Sequence, residues 1–296
     1  MTGQQEEQQM LFHRKDDREV LKLRQAPCGK GQKLPLLYYP LLEKTGIVRH
    51  AFTTRAGGCS SGMFSSLNLS FTRGDEEACV RENYRRLAVA LEVPVESFVF
   101  SDQTHTSHVK RVTAEDAGNG IVRENRFHDI DGLITSEEGV TLITFYADCV
   151  PLYFVDPVHR AIGLSHSGWR GTVARMGRET LHAMEREFGT QPSDVICAVG
   201  PSICQDCYEV SRDVAEQFMA EFQPQQIPQI LQQKENDKFQ LDLWKANEII
   251  LTEAGILPEH LAVTNICTCC NPGILFSHRA SHGKRGNLAA VLALKP

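Results

Sequence analysis

Helical periodicity marks four segments of the chain. In 75–91 (DEEACVRENYRRLAVAL) apolar residues recur with the spacing of one helix face, and acidic residues occupy the first turn, where they suit the helix dipole. The same spacing predicts helices over 172–188, 211–222 and 241–254. We expect Gly189 to end the second of these four, because glycine readily adopts the left-handed conformation that closes many helices.

Runs rich in β-branched and aromatic residues, bounded by turn residues, predict strands elsewhere. They cover 97–100, 132–135, 140–146, 150–156, 160–165, 194–199 and 261–266. Helices and strands alternate, yet short turns join several strands directly. This order indicates an α+β or mixed α/β fold with mixed sheets rather than a strictly parallel wound sheet.

No linker-like stretch divides the chain after its first 35 residues. Residues 1–35 are rich in glutamine and charge with weak periodicity, so we expect a loosely ordered N-terminal extension there. We expect a single domain over 36–296, in which the Gln/Pro segment 223–233 forms a surface loop.

The stretch 139–172 (GVTLITFYADCVPLYFVDPVHRAIGLSHSGWRGT) is the most informative part of the sequence. Two β-rich runs flank the turn DPVH (156–159), which has proline at its favoured second position. If the loop has two residues, Cys149 lies directly opposite His166, with Cβ atoms about 4.5–5.5 Å apart on one face. A thiolate and an imidazole so placed suit one metal ion. A three-residue loop would send them to opposite faces, so the prediction depends on turn length.

A third ligand has to come from another segment. QTHTSH (103–108) is the richest source, because it offers His105 and His108 on opposite strand faces, and residue chemistry leaves both open. The alternative interpretation is structural: Cys149 is then a small buried hydrophobic residue and His166 a hydrogen-bonded residue at a strand end.

Composition narrows the functional classes. The 296 residues carry a net charge of −6 with no strongly basic block, which argues against nucleic acid as a partner. The longest apolar stretch, 140–155, is too short to cross a bilayer and contains Asp148 and Pro151. The first thirty residues lack the apolar core of a signal peptide, so we expect a cytoplasmic protein without a membrane partner. Ten cysteines in a reducing compartment then indicate packing, metal binding or nucleophilic chemistry.

Six motifs occur in the order seen in one known family. They are TTRAGGCSSGMFSSLNLS, QTHTSHV, ADCVPLYFVD, HSGWRGT, GPSICQDCYEV and a closing CT…FSHR…G segment. Together they resemble the polyphenol-oxidase or laccase-domain family, also described as purine nucleoside phosphorylase/adenosine deaminase and including a peptidoglycan-editing factor. The resemblance implies three zinc ligands, His105, Cys149 and His166, and so selects His105 over His108. It also implies a four-layer sandwich with two mixed β-sheets packed between helices.

The same resemblance implies a catalytic site. Three protein ligands leave a fourth position open, as in catalytic zinc sites, where the pKa of a bound water falls from about 15.7 to about 7. The implied reactions are phosphorolysis of adenosine, inosine and S-methyl-5′-thioadenosine, and hydrolytic deamination of adenosine. The partners would be purine nucleosides and inorganic phosphate, with the protein a monomer or homodimer.

Phosphate needs an anion site. Arg170 stands where SGWRGT opens a helix, whose free N–H groups favour an anion. Arg55 is a second candidate, with Asn68 as a sugar or base contact. A general acid or base is less defined: Asp148, Asp131 and His108 all stay open.

Three other interpretations compete. Two histidines and a cysteine also suit copper, which would occupy the same ligands in a phenol oxidase, but the 11 histidines include no His-X-His pair. A metal-free hydrolase would use Cys149 as nucleophile and a histidine as base. In a non-enzymatic module, Cys204-x-x-Cys207 and the cysteines of 267–270 would instead bind a structural zinc ion. Among the aromatic residues, Phe71 and Phe145 are interpreted as core.

Overall fold

The computed structural model describes residues 12–296. Its strands are β1 (Lys22–Gly29), β2 (Gln32–Tyr38), β3 (Val48–Thr53), β4 (Phe98–Phe100), β5 (Val109–Arg111), β6 (Gly132–Thr135), β7 (Thr141–Tyr146), β8 (Val150–Asp156), β9 (Ala161–Ser167), β10 (Ile196–Val199), β11 (Glu209–Ser211), β12 (Leu231–Gln233), β13 (Lys238–Leu241), β14 (Leu261–Val263) and β15 (Leu288–Leu294). Its α-helices are α1 (Pro40–Glu43), α2 (Glu77–Leu91), α3 (Trp169–Val173), α4 (Met176–Phe188), α5 (Arg212–Glu221), α6 (Ile227–Ile230) and α7 (Leu243–Glu253).

Two six-stranded sheets form the centre of the protein. The first has the order β1-β2-β3-β15-β7-β4 and is antiparallel except where β4 pairs with β7. The second has the order β14-β10-β8-β9-β6-β5, with parallel pairs at both edges. A small antiparallel sheet, β11-β13-β12, completes the set. Both large sheets are therefore mixed, as the sequence predicts.

Successive side chains along each strand point to opposite faces of its sheet, so the buried residues form separate layers. Tyr153 and Leu164 of the second sheet pack with Tyr146 of the first sheet in one buried cluster between the sheets. On the outer face of the second sheet, Phe154 packs against α4 and α7, while on the outer face of the first sheet Ile143 packs against α2. The order helix, sheet, sheet, helix confirms the predicted four-layer sandwich.

The predicted helix over 172–188 is two helices. Arg175 takes a left-handed φ of 58° between α3 and α4, and its buried guanidinium bonds Glu221 at 2.7 Å and Glu253 at 2.6 Å. These ion pairs to α5 and α7 hold a turn that local periodicity does not reveal. Gly189, with a φ of 76°, ends α4 as predicted.

Part of the expected N-terminal extension is ordered. β1 pairs along β2, and Leu21 and Cys28 are fully buried, so the prediction of a loose segment is wrong from about residue 21 onward. Its periodicity is weak because β1 is an edge strand with an irregular register between Pro27 and Gly29. The part of that prediction that covers residues 1–11 lies outside the described residues. The loop expected over 223–233 also contains α6 and β12.

The hairpin turn between β8 and β9 is longer than predicted. Asp156 pairs with Ala161 and Pro151 with His166, so four residues form the loop and Cys149 is not directly opposite His166. Asp156 explains this turn, because its carboxylate accepts the N–H groups of Val158 and His159. A register change of two residues keeps every side chain on its predicted face.

Among residues 12–296, no helix combines the length and the apolar character needed to cross a bilayer.

Candidate active site and metal centre

Three side chains converge at one end of the layer between the two sheets. His105 lies in the loop between β4 and β5, Cys149 immediately precedes β8, and His166 lies near the end of β9. Their nitrogen and sulfur ligand atoms all lie within 4.8 Å of one another. The Cys149 Sγ is 3.9 Å from the His105 Nε2, close to the about 3.6 Å that one tetrahedral zinc ion requires. His108 is exposed and its Nδ1 contacts the Asp129 carbonyl oxygen at 3.0 Å instead.

Asp131 orients the His166 ring, holds the backbone of the loop that carries His105, and is itself fully buried. One of its oxygens lies 2.7 Å from His166 Nδ1 and accepts the His105 N–H at 3.2 Å. The other accepts the N–H groups of Thr104 at 3.1 Å and Thr106 at 2.9 Å, and also the Thr106 hydroxyl at 3.0 Å. A proton fixed on His166 Nδ1 leaves Nε2 as the ligand atom, the arrangement that carboxylates commonly impose on metal-binding histidines. Asp131 is therefore a positioning residue.

The electrostatics of the three groups are linked. Burial acts to raise the pKa of Cys149, but the neighbouring His166 and His105 lower it to about 6. Burial acts to lower the pKa of His166, but Cys149 and Asp131 raise it to about 9. The pKa of Asp131 is lowered despite its burial, because His166 and the backbone N–H groups favour the charged carboxylate. Cys149 thus favours the thiolate form, which is the form that binds metals and acts as a nucleophile.

Asp148 supports the turn that carries Cys149. It has a positive φ of 92°, and its two carboxylate oxygens accept the Thr268 hydroxyl at 2.6 Å and the Arg279 N–H at 2.7 Å. Its carbonyl accepts the N–H of Ile203 at 3.0 Å. These contacts use both carboxylate oxygens of Asp148 to hold the neighbouring loops. Of the three residues that the sequence offers as a general acid or base, Asp148 therefore has a structural role.

Gly168 explains the close approach of two of the ligands. A Cβ at this position would lie 2.8 Å from the His105 ring and 3.1 Å from the Cys149 sulfur. The first distance is shorter than packed Cβ atoms show, so a larger residue at 168 would push the His105 ring away from the Cys149 sulfur.

A cavity of about 440 Å³ opens onto the cluster. His105, Cys149 and His166 all line it, so an ion held by them would keep one side facing the cavity. Its apolar wall includes the aromatic residues Phe71, Phe100, Phe145 and Tyr146. Phe71 and Phe145, predicted as core residues, thus also form part of this wall. The volume lies in the range of about 300–1,000 Å³ that small-molecule sites occupy.

Two arginines form the positively charged part of the cavity wall. Arg73 is exposed, whereas Arg285 is only 9% exposed. The Nη1 of Arg285 donates to the Gly286 carbonyl oxygen and the Asn287 side chain, and Arg285 forms no ion pair with a carboxylate within residues 12–296. Its Nε–H finds no acceptor within the described structure. Burial and repulsion from Arg73 lower the pKa of Arg285 to about 10. A buried guanidinium without an acidic partner is suited to bind an anion that enters the cavity.

The substrate contacts expected from the sequence lie elsewhere. Arg55 donates to the carbonyl oxygens of Ser65 and Pro272, each at 2.8 Å, and covers the ring of Phe276. Arg170 is exposed and stacks on Trp169 at 4.2 Å. Neither arginine is among the residues that line the cavity.

Asn68, the third expected contact, is fully buried behind the cavity. Its Oδ1 accepts the N–H groups of Ser70 at 3.0 Å and Asn287 at 2.9 Å. It therefore joins the loop that carries Arg73 to the loop that carries Arg285. Neither Arg73 nor Arg285 is among the candidate residues drawn from the sequence. The one local feature that they share is a glycine directly after each of them.

The donor set defines the class of site. One thiolate and two imidazoles suit zinc and also suit copper, and the contact of Asp131 with the His166 ring matches a built metal centre. The fold and site together therefore define a mixed α/β protein with a His-Cys-His cluster at the base of a small-molecule cavity.

Comparisons with known proteins agree with this class. The family model described as multi-copper polyphenol oxidoreductase laccase matches residues 49–295. The purine nucleoside phosphorylase YlmD of Bacillus subtilis is 37% identical over 248 residues, which cover 82% of this chain and 87% of that protein. The crystal structure of YlmD from Geobacillus stearothermophilus matches with a TM-score of 0.83 at 32% identity, over 92% of this chain and all of that one.

A further solved structure, the hypothetical protein YfiH of Bacillus licheniformis, matches with a TM-score of 0.86 at 30% identity, over 94% of this chain and all of that one. The chain belongs to the laccase-like family of YfiH and YlmD. This confirms the resemblance seen in the sequence motifs.

Proposed function

We propose that the protein is a purine nucleoside phosphorylase that binds zinc at His105, Cys149 and His166. The observation that carries the proposal is that a single cavity contains this cluster, an aromatic wall and the buried guanidinium of Arg285, whose Nε–H has no acceptor among the described residues. Relatives named purine nucleoside phosphorylase support a nucleoside-processing enzyme. We include adenosine, inosine and S-methyl-5′-thioadenosine as substrates, and hydrolytic deamination of adenosine as a second activity.

Each part of the cavity has a role in the proposed reaction. Arg285 and Arg73 bind inorganic phosphate, and the aromatic wall packs against the purine base. A phosphate oxygen forms a bond to C1′ of the sugar, the C1′–N9 bond breaks, and its electron pair leaves with the base, which takes up the proton that the hydrogen phosphate loses. Asp131 keeps the His105 loop and the His166 ring fixed throughout. A zinc ion bound by the cluster would supply Lewis-acid polarisation of the substrate.

A metal-free thiol enzyme is the second candidate, because the pKa of Cys149 is lowered to about 6 beside His166. The two candidates differ in their response to chelators. A phosphorylase that needs zinc loses activity on chelation and regains it with added zinc. A thiol nucleophile keeps its activity under chelation and is blocked by iodoacetamide in a way that substrate prevents.

The test incubates zinc-loaded protein with each of the three nucleosides, with and without phosphate, and separates the products by chromatography. We expect free base and a sugar 1-phosphate only when phosphate is present, and inosine from adenosine in its absence. Cys149→Ala should abolish both reactions, whereas Cys79→Ala, on the surface helix α2, should retain them. If the wild-type protein consumes none of the nucleosides, or Cys149→Ala matches it, the proposal is wrong. Oxidation of a phenol by copper-loaded protein would instead favour the oxidase named in the family description.

A further inference from the structure

A second group of thiols meets at the edge of the second sheet. β10 and β14 are neighbouring parallel strands, so the loops that follow them emerge at the same end of the sheet. Each loop carries a Cys-x-x-Cys turn, and a backbone bridge between Ser202 and Cys267 joins the two. The four sulfur atoms lie within 4.8 Å of one another. We name this group the tetrathiol cluster; it consists of Cys204, Cys207, Cys267 and Cys270.

The sulfur separations fit one ion at the centre of a tetrahedron. Four sulfurs at about 2.3 Å from zinc lie about 3.8 Å from one another. The Sγ of Cys270 lies 4.0 Å from that of Cys204 and 3.5 Å from that of Cys207. A disulfide would bring two sulfurs to about 2.05 Å, and all four cysteines are free thiols. The cluster has therefore the size of a metal site rather than of a disulfide pair.

Backbone N–H donors and an ion pair lie beside the cluster. The Cys267 sulfur accepts the N–H groups of Cys204 at 3.3 Å and Cys270 at 3.4 Å. The ammonium of Lys15 forms an ion pair with Asp206 at 2.8 Å, within the Cys204–Cys207 turn. Four thiolates around a divalent ion carry two negative charges in excess, which N–H donors to the sulfur atoms partly offset.

We propose that the tetrathiol cluster binds a structural zinc ion, separate from the His105–Cys149–His166 cluster. Four sulfur ligands close the coordination sphere and leave no position for a reactant, which distinguishes a structural zinc from a catalytic one. The spacing also fits, because both halves are Cys-x-x-Cys once Cys270 is paired with Cys267. The inference does not depend on the proposed nucleoside chemistry.

This zinc would stabilise the support of the active site. Thr268 stands between two cysteines of the cluster and donates to the Asp148 carboxylate, while Ile203, next to Cys204, donates to the Asp148 carbonyl. Asp148 directly precedes Cys149. An ion that ties the two loops together therefore fixes both sides of the turn that positions the Cys149 thiolate.

The test uses a protein in which the other site is disabled. His105→Ala/Cys149→Ser removes two of the three ligands of the His-Cys-His cluster and leaves the tetrathiol cluster intact. We expect this double variant, purified without chelator, to contain about one zinc per chain by mass spectrometry of the metal. X-ray absorption at the zinc edge should show sulfur ligands alone, at about 2.3 Å. This readout needs no substitution in the cluster itself.

Adding Cys270→Ser to the double variant should remove that zinc, or reduce retention after dialysis against a chelator at least tenfold. Cys269→Ser is the matched control, because Cys269 lies in the same turn but outside the cluster. Any of three results would overturn the proposal: no zinc in the double variant, nitrogen or oxygen atoms in its zinc shell, or a Cys207–Cys270 disulfide in the freshly purified protein. Bound iron in place of zinc would overturn the choice of metal.

Discussion

Substitution of Asp131 by asparagine tests whether this carboxylate sets the ligand atoms of the candidate metal centre. The substitution keeps the size of the side chain but replaces one acceptor oxygen with an NH₂ donor. Asp131 accepts from five donors in two groups, three on one oxygen and two on the other. The amide oxygen should turn toward the group of three on Thr104 and Thr106. Its NH₂ then faces His166 Nδ1, which has to become an acceptor, so the ring proton moves to Nε2 and removes the lone pair that binds the metal.

The magnitude follows from this change of tautomer. Loss of the carboxylate behind a metal-binding histidine typically weakens metal affinity about 10- to 100-fold, or about 1.4–2.8 kcal/mol. The measurement is competition for zinc with a chromophoric chelator, and the same titration on Cys149→Ala gives the baseline for zinc held elsewhere on the chain. Asp129→Asn is the control, because Asp129 bonds Thr104 in the same loop but not His166. A zinc Kd of Asp131→Asn within twofold of wild type, in a folded protein, would refute the reasoning.

Three further predictions concern other parts of the molecule. Buried His50 accepts the Tyr39 N–H, and burial lowers its pKa from 6.5 to about 4, so the unfolded chain binds a proton at a higher pH than the folded protein does. The free energy of unfolding should therefore fall by about 3 kcal/mol as the pH decreases from 6.5 to 4. In urea titrations, His50→Gln should reduce this dependence of the free energy of unfolding on pH. Gly168→Ala should displace the metal ligands and lower zinc affinity at least tenfold in the chelator assay, and unchanged affinity would contradict the close approach described above. Arg285→Gln should raise the KM for phosphate about 10- to 100-fold, since a hydrogen bond to a charged group contributes about 1.5–3 kcal/mol. Arg170→Gln should leave the KM for phosphate within twofold of wild type. A large increase in Arg170→Gln and none in Arg285→Gln would instead favour Arg170, the residue expected from the sequence, as the phosphate ligand.

The elements that sequence predicts well are those whose pattern is local. The runs over 132–135 and 150–156 coincide with β6 and β8, because turn residues bound them clearly. β15 escapes the pattern, since its sequence LAAVLAL favours a helix by propensity, and only its burial between β3 and β7 makes it a strand. Tertiary context overrides local preference there.

The candidate site also has residues that the sequence predicts and residues that it does not. The motifs that resemble the family bring His105, Cys149 and His166 together, and the structure places them within one cluster. The sequence leaves the role of Asp131 open because its five contacts join segments from 104 to 166, and no local pattern reports such contacts. Arg285 is missed for a related reason: its exposure to the cavity depends on the Asn68 contact, which joins residues 68 and 287.

The position of β15 also bears on how the protein is made. On the ribosome, β3 and β7 are complete long before residues 288–294 have been synthesised, and each then exposes a strand edge that only this late segment can cover. Nascent chains at that stage are the ones most prone to associate with one another. Arg285 is synthesised only a few residues before β15, so the wall of the cavity is completed at almost the same stage as the sheet.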